Sequence, residues 1–254
     1  MKKTVYVIII ALITFVCMAV GVIRNFMPTH NQWGWGAGTS KTIGEEATLD
    51  AFQKLDVNAS VCDLTVEVGE DYGISYKCSE NLTPKYVVEG DTLMITQKNN
   101  KKNLNAFKSM KCKIVLTIPK KDALTSAKID IAVGDLKMDA LTLDDLQVEQ
   151  NVGDMKMCDM VAKSVQADSN TGDVHLERVA FDALEVSSNI GDVKVSSATS
   201  LEEYGLDLQA DIGDVRLDGQ NQSKSYQRDT KGERSIQIHT DCGDIDVSAV
   251  EMNE

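Results

Sequence analysis

The residues best placed to do chemistry in this 254-residue chain are aspartates held at a fixed interval. A Gly-Asp pair followed by an aliphatic residue recurs as Gly134-Asp135-Leu136, Gly153-Asp154-Met155, Gly172-Asp173-Val174 and Gly191-Asp192-Val193, one copy every 19 residues. Gly213-Asp214-Val215 and Gly243-Asp244-Ile245 follow at wider spacing. Carboxylates kept in phase by a repeat would line one edge about 4.8 Å apart, which is how a cation-binding ladder is built. The calcium-binding β-roll is the nearest comparison. It uses short repeats with several glycines, G-G-x-G-x-D, whereas this repeat is longer and carries one Gly at the pair. Two charges at that spacing repel by only about 1 kcal/mol in water, and turn N–H groups can offset it. The pairs therefore read as structural corners, with Asp135, Asp154, Asp173 and Asp192 as the residual candidates for a metal ion. No metal and no cofactor is expected.

Glycoside hydrolysis is the second chemistry to weigh, because β-helices can carry paired carboxylates. Asp144-Asp145, Glu202-Glu203 and Asp182 with Glu185 are possible pairs, and no cluster of aromatics for sugar stacking accompanies any of them. His30, His175 and His239 are far apart in sequence, and the last two fall at outward positions, so a Ser-His-Asp arrangement has no support. The cysteines Cys17, Cys62, Cys78, Cys112, Cys158 and Cys242 contain no C-x-x-C and no Cys/His cluster, which argues against zinc. Cys78 and Cys112 could pair across neighbouring strands. No catalytic residue is assigned, and an enzyme is not expected.

The elements that would position these residues follow from the register. With each Gly as position zero, aliphatic residues fall at plus two and plus four, as in Leu136 and Met138 or Val193 and Val195. Minus five, minus three and minus one are mostly apolar or small, as in Ile129, Ile131 and Val133, or Val186, Ser188 and Ile190. This alternation marks strands with one buried face. With minus one and plus two both inward, the phase slips at the pair, where Gly tolerates positive φ and Asp accepts a turn N–H. Cys242, in the minus-one column, reads as a small core residue. One such unit cannot bury a core alone, but stacked units share one.

The predicted fold is all-β, a single-stranded parallel β-solenoid of about seven coils over 49–250. An antiparallel sandwich is the competing architecture, but its strands have no reason to share a corner residue. The seventh coil is a hidden copy, FQKLDVNASVCDLTVEV, in which Cys62-Asp63 replaces Gly-Asp. Residues 69–126 read as an antiparallel excursion capping one end of the stack. Within it, six lysines between Lys98 and Lys113 form a basic patch that reads as a solvated loop. Asp218 to Arg234 reads as a polar loop or hairpin tip, Ser235 to Val250 as the last coil, and 251–254 as a frayed tail.

The N-terminus is of another kind. Thr4 to Ile23 is an uncharged apolar run, long enough to span a bilayer as a helix. Lys2 and Lys3 precede it and Arg24 follows, which favours a cytoplasmic N-terminus. A cleaved signal peptide is the rival reading. Residues 1–24 are thus expected to be a transmembrane signal-anchor and 25–48 a flexible juxtamembrane linker carrying Trp33 and Trp35. All 39 acidic residues lie beyond position 24, and the chain carries a formal charge of −13. That balance argues against a nucleic-acid partner and against electrostatic adhesion to anionic lipid.

The order S-V-C-D-L-T-V, then P-K-Y-V-V-E-G-D-T-L-M-I, then C-K-I-V-L-T-I-P-K, then repeated V-G-D-L or I-G-D-V, resembles a bacterial β-strand-repeat family of unknown function labelled "putative adhesin". The resemblance covers about residues 50 to 250 and implies an envelope protein with an N-terminal anchor. It brings no catalytic residues. Cys62 departs from the usual Gly, which implies a less relaxed corner there. The expected protein is a non-catalytic, single-pass, extracytoplasmic β-solenoid at the bacterial plasma membrane. Its role would be structural or binding, adhesin-like or accessory to envelope signalling. Its partner would be an envelope protein or polysaccharide, and its ectodomain monomeric because the two ends of the stack differ.

Overall fold

The computed structural model describes residues 42–98, 111–229 and 232–250. Among them the regular elements are β-strands, apart from short 3-10 turns at Glu80–Leu82 and Leu201–Glu203. The first half of the chain forms β1 (Thr42–Thr48), β2 (Lys54–Ala59), β3 (Asp63–Val68), β4 (Gly73–Ser79), β5 (Lys85–Glu89), β6 (Thr92–Gln97), β7 (Cys112–Ile118), β8 (Ser126–Val133), β9 (Leu136–Asp139) and β10 (Thr142–Val152). The second half forms β11 (Met155–Cys158), β12 (Val161–Thr171), β13 (Val174–Ile190), β14 (Val193–Ser197), β15 (Tyr204–Ile212), β16 (Val215–Leu217), β17 (Gln220–Gln222), β18 (Ser225–Arg228), β19 (Arg234–Cys242) and β20 (Ile245–Ala249).

Strand register fixes the stacking. On one face β6, β2, β8, β10, β12, the second half of β13, β19 and β15 lie side by side and parallel. On the other, β7, β3, β9, β11, the first half of β13, β14, β20 and β16 do the same. Each coil gives one strand to each face, so the described residues make an open, solenoid-like stack of eight coils. Both ends are closed by antiparallel strands. At one end β4 pairs with β7, β1 with β4, and β5 with β6; at the other β17 pairs with β16 and β18 with β15.

Three expectations are corrected by this topology. Residues 69–126 are not wholly an antiparallel cap. Leu93, Ile95 and Gln97 of β6, and Ile114 and Leu116 of β7, alternate inward and pair parallel with β2 and β3, adding a coil that has no Gly-Asp corner. The segment 235–250 is last in the chain but not in space: β19 and β20 lie between β13/β14 and β15/β16. The linker expected over 25–48 ends earlier, since 42–48 form β1 on the edge of β4. The span expected at 4–23, residues 99–110 of the basic patch and the tail at 251–254 lie outside the described residues. Among the described residues no helix is long and apolar enough to cross a membrane.

The core is a set of aliphatic rows running along the stack. The minus-five row holds Val57, Ile129, Val148, Ala167, Val186, Ile238 and Leu208, all buried. Across from it the plus-two row holds Leu64, Leu136, Met155, Val174, Val193, Ile245 and Val215, also buried. Each row gains about 25 cal/mol per Å² of apolar surface removed from water, and only through its neighbours. A disulfide between Cys78 and Cys112 ties cap strand β4 to β7 at a directly opposed pair.

Candidate functional site

The Gly-Asp pairs come together along one edge, in the order Cys62-Asp63, Gly134-Asp135, Gly153-Asp154, Gly172-Asp173, Gly191-Asp192, Gly243-Asp244 and Gly213-Asp214. Each Asp backbone N–H donates to the Oδ1 of the preceding Asp in the stack, at 3.2 Å for Asp135 on Asp63 and 2.8–3.0 Å thereafter. The carboxylates are thus bonded into the backbone of the next coil. At the far end Arg216 lies 3.6 Å from Asp214 and 3.3 Å from Asp244, placing a cation against the last two members.

The glycines are held by the same stacking. Gly172 has φ +136°, and a Cβ there would lie 1.8 Å from the carbonyl oxygen of Gly153. Cys62 begins the row and lies outside the left-handed region, so it carries none of the positive-φ strain a side chain would meet at the glycine corners. Its thiol is fully buried and pushed up to about 12, first by burial and then by the charge of Asp63. Buried Gln97 serves this first corner: its Oε1 accepts from Ser60 and Val61 N–H, and its Nε2 donates to Val61 O. The minus-three row is partly polar for a related reason. Gln150, Ser169 and Thr240 donate to the carbonyls of Gly134, Gly172 and Gly191.

The minus-one column corrects the inward reading given to it. Val133, Val152, Ile190 and Ile212 are 43–53% exposed, and Cys242 is half-buried rather than core. Inward alternation stops at minus three and resumes at plus two, so the whole turn from minus two to plus one faces outward. The result is a mostly aliphatic ridge, interrupted by Thr171 and Cys242 and flanked by two polar rows. One is the aspartates. The other is an amide ladder at minus two, where Asn170 donates to Asn151 and Asn189 to Asn170. The ridge is not legible in the sequence, because aliphatic identity predicts burial.

The carboxylate pairs considered for hydrolysis sit on open surface. Asp144 pairs with Lys163, and Arg234 joins Asp182 and Glu203. A second corner column was not foreseen: Ala140, Asp159 and Arg178 each adopt positive φ, and Arg178 forms a two-point ion pair with Asp159 at 2.7 Å. His175 faces outward. His239 also faces outward but meets Asp211 and Asp241, their ligand atoms all within 4.8 Å of one another. Asp211 and His239 are brought together only by the out-of-order placement of β19.

Stacked corners on a two-faced parallel coil define the class, an all-β solenoid-like repeat protein. The chain belongs to the Toastrack DUF4097 family, whose pattern matches residues 52–252. Among solved structures it is similar to a "putative cell adhesion protein" from Clostridium sporogenes, at 18% identity over 83% of this chain and 100% of that one, with a TM-score of 0.51. It is also similar to a "putative adhesin" from Bacteroides fragilis, at 17% identity over 83% of this chain and 97% of that one, TM-score 0.41. A "putative adhesin" from Parabacteroides merdae shares 12% identity over 84% and 98%, TM-score 0.36. No curated protein matches the chain.

Proposed function

We propose that the chain is a non-catalytic, membrane-anchored solenoid displayed outside the cytoplasm of a bacterium, with a binding or structural role at the cell envelope. The observation that carries the binding role is the corner ridge. Val133, Val152, Ile190 and Ile212 keep about half their surface in water, along one line shared with Thr171 and Cys242, beside the aspartate row and a three-member amide ladder. Exposed apolar side chains aligned between polar rows are a common form of interaction surface. The name carried by the Clostridium sporogenes protein, which shares the fold, accords with adhesion. The apolar run at 4–23 and its flanking basic residues support the anchor.

Two measurements test this reading. The chain lacking residues 1–24 is expected to be released from the membrane fraction that retains the full-length chain; equal partition of both would overturn the anchor. That released form should co-sediment with isolated envelope material. Replacing Val152→Lys and Ile190→Lys together should leave it in the supernatant without lowering its melting temperature. Undiminished co-sedimentation of the double variant would remove the ridge from the binding role.

A further inference from the structure

We propose that Asp211, His239 and Asp241 form a site for one transition-metal dication, with zinc the best match. Asp211 lies on β15 and the other two on β19. The register pairs Gln209 with His239 and Ala210 with Thr240, so the two aspartates stand side by side on adjacent coils. The carboxylate oxygens and a ring nitrogen of His239 lie within 4.8 Å of one another. Two contacts already orient the group. His239 Nε2 is 3.2 Å from Asp241 Oδ1, and Gln209 Nε2 donates to Asp211 Oδ1 at 3.0 Å.

The second line of argument is the column in which the aspartates stand. In three coils of the stack it is occupied by Asn151, Asn170 and Asn189, whose amides bond one to the next. An amide both donates and accepts, so it can extend such a ladder; an ionised carboxylate only accepts. At Asp241 and Asp211 the ladder changes from self-complementary to repulsive, and at that same step a histidine stands in the neighbouring column. An imidazole with two carboxylates is a nitrogen–oxygen donor set suited to zinc and its neighbours rather than to calcium or magnesium. Zinc–donor bonds of roughly 2.0–2.2 Å require the three atoms to close up modestly, which rotation of exposed side chains allows. His239 and Asp241 are 45% and 35% exposed, leaving room for water in the remaining positions. A bound ion would pin β19 to β15, closing the coil that enters the stack out of chain order.

The test uses the full-length chain in mild detergent, stripped with a chelator and titrated calorimetrically with zinc alone. His239→Gln and Asp211→Asn are conservative variants, since Gln209 holds the His239 column in the adjoining coil and Asn189 holds the Asp211 column two coils away. His175→Gln serves as a control away from the cluster. One zinc per chain is expected to bind and raise the melting temperature. His239→Gln and Asp211→Asn should each weaken binding about tenfold or more, while His175→Gln and excess calcium leave it unchanged. Zinc binding that survives both cluster variants, displacement of zinc by calcium, or no binding to the parent chain would each overturn the proposal.

Discussion

Gly172 and Ser188 illustrate two opposite demands of the same corner. At Gly172 a side chain would meet the carbonyl of the coil beneath it, on a backbone at φ +136°. Gly172→Ala is therefore expected to destabilise the protein by about 3 kcal/mol or more, read as a lowered denaturation midpoint; an unchanged midpoint would show that the coils separate freely. Ser188 is buried, and among the described residues its hydroxyl has no hydrogen-bond partner. Ala210 and Ala59 fill the same row elsewhere. Ser188→Ala should thus stabilise the fold by about 1 kcal/mol, and a loss of stability would mean the hydroxyl is in use. The glycine requirement was visible in the repeated pair. The outward turn of Val152 and Ile190 was not, because hydrophobicity reports what a residue prefers rather than where a corner aims it.

The strands show how far local pattern reaches. Wherever one coil follows the last at 19 residues, period-two alternation gave both the element and its neighbour, since the linking turn is too short to go elsewhere. After the interruptions at 69–91 and 218–233 the same pattern no longer names a neighbour, because every coil edge offers the same ladder and rows. For this reason the local pattern alone makes β6/β7 a cap and β19/β20 an end coil. The Asp211–His239 meeting was hidden for the same reason. The cap strand β1 depends on a more specific contact, Glu45 accepting from Tyr76 at 2.7 Å and Tyr86 at 2.9 Å. These bonds, Tyr76 first, hold the Glu45 carboxyl below its ordinary 4.5. A depressed acid contributes stability above its unfolded value and loses it as pH falls through the folded one. Hydrogen exchange in β1 should accelerate below about pH 4.5, while Glu45→Gln, already lacking the charge, should exchange at a rate independent of pH across that window after correction for intrinsic exchange. Equal acid responses in both proteins would rule the contact out as the clamp.

For the whole molecule, antiparallel strands at both ends leave the outermost parallel coils already paired. Continuous end-to-end stacking of parallel coils is therefore blocked at β7 and β6 on one side and at β16 and β15 on the other. Light scattering on the purified chain should give a monomer over a wide concentration range. A ladder of oligomers would show that the caps open or that the corner ridge pairs copies side by side. The strongly acidic balance, 39 acidic against 26 basic residues, works the same way by mutual repulsion.

The interleaving of β19 and β20 also bears on how the protein meets traction. In a stack built in chain order, a pull on the C-terminus would peel off the outermost coil one bond at a time. Here the C-terminal strand is flanked on both sides, by β14 and β16. A tug on it must shear two parallel ladders together before anything comes loose. A molecule held at a surface by one end and gripped at the other would resist as a keyed joint does, yielding late and all at once.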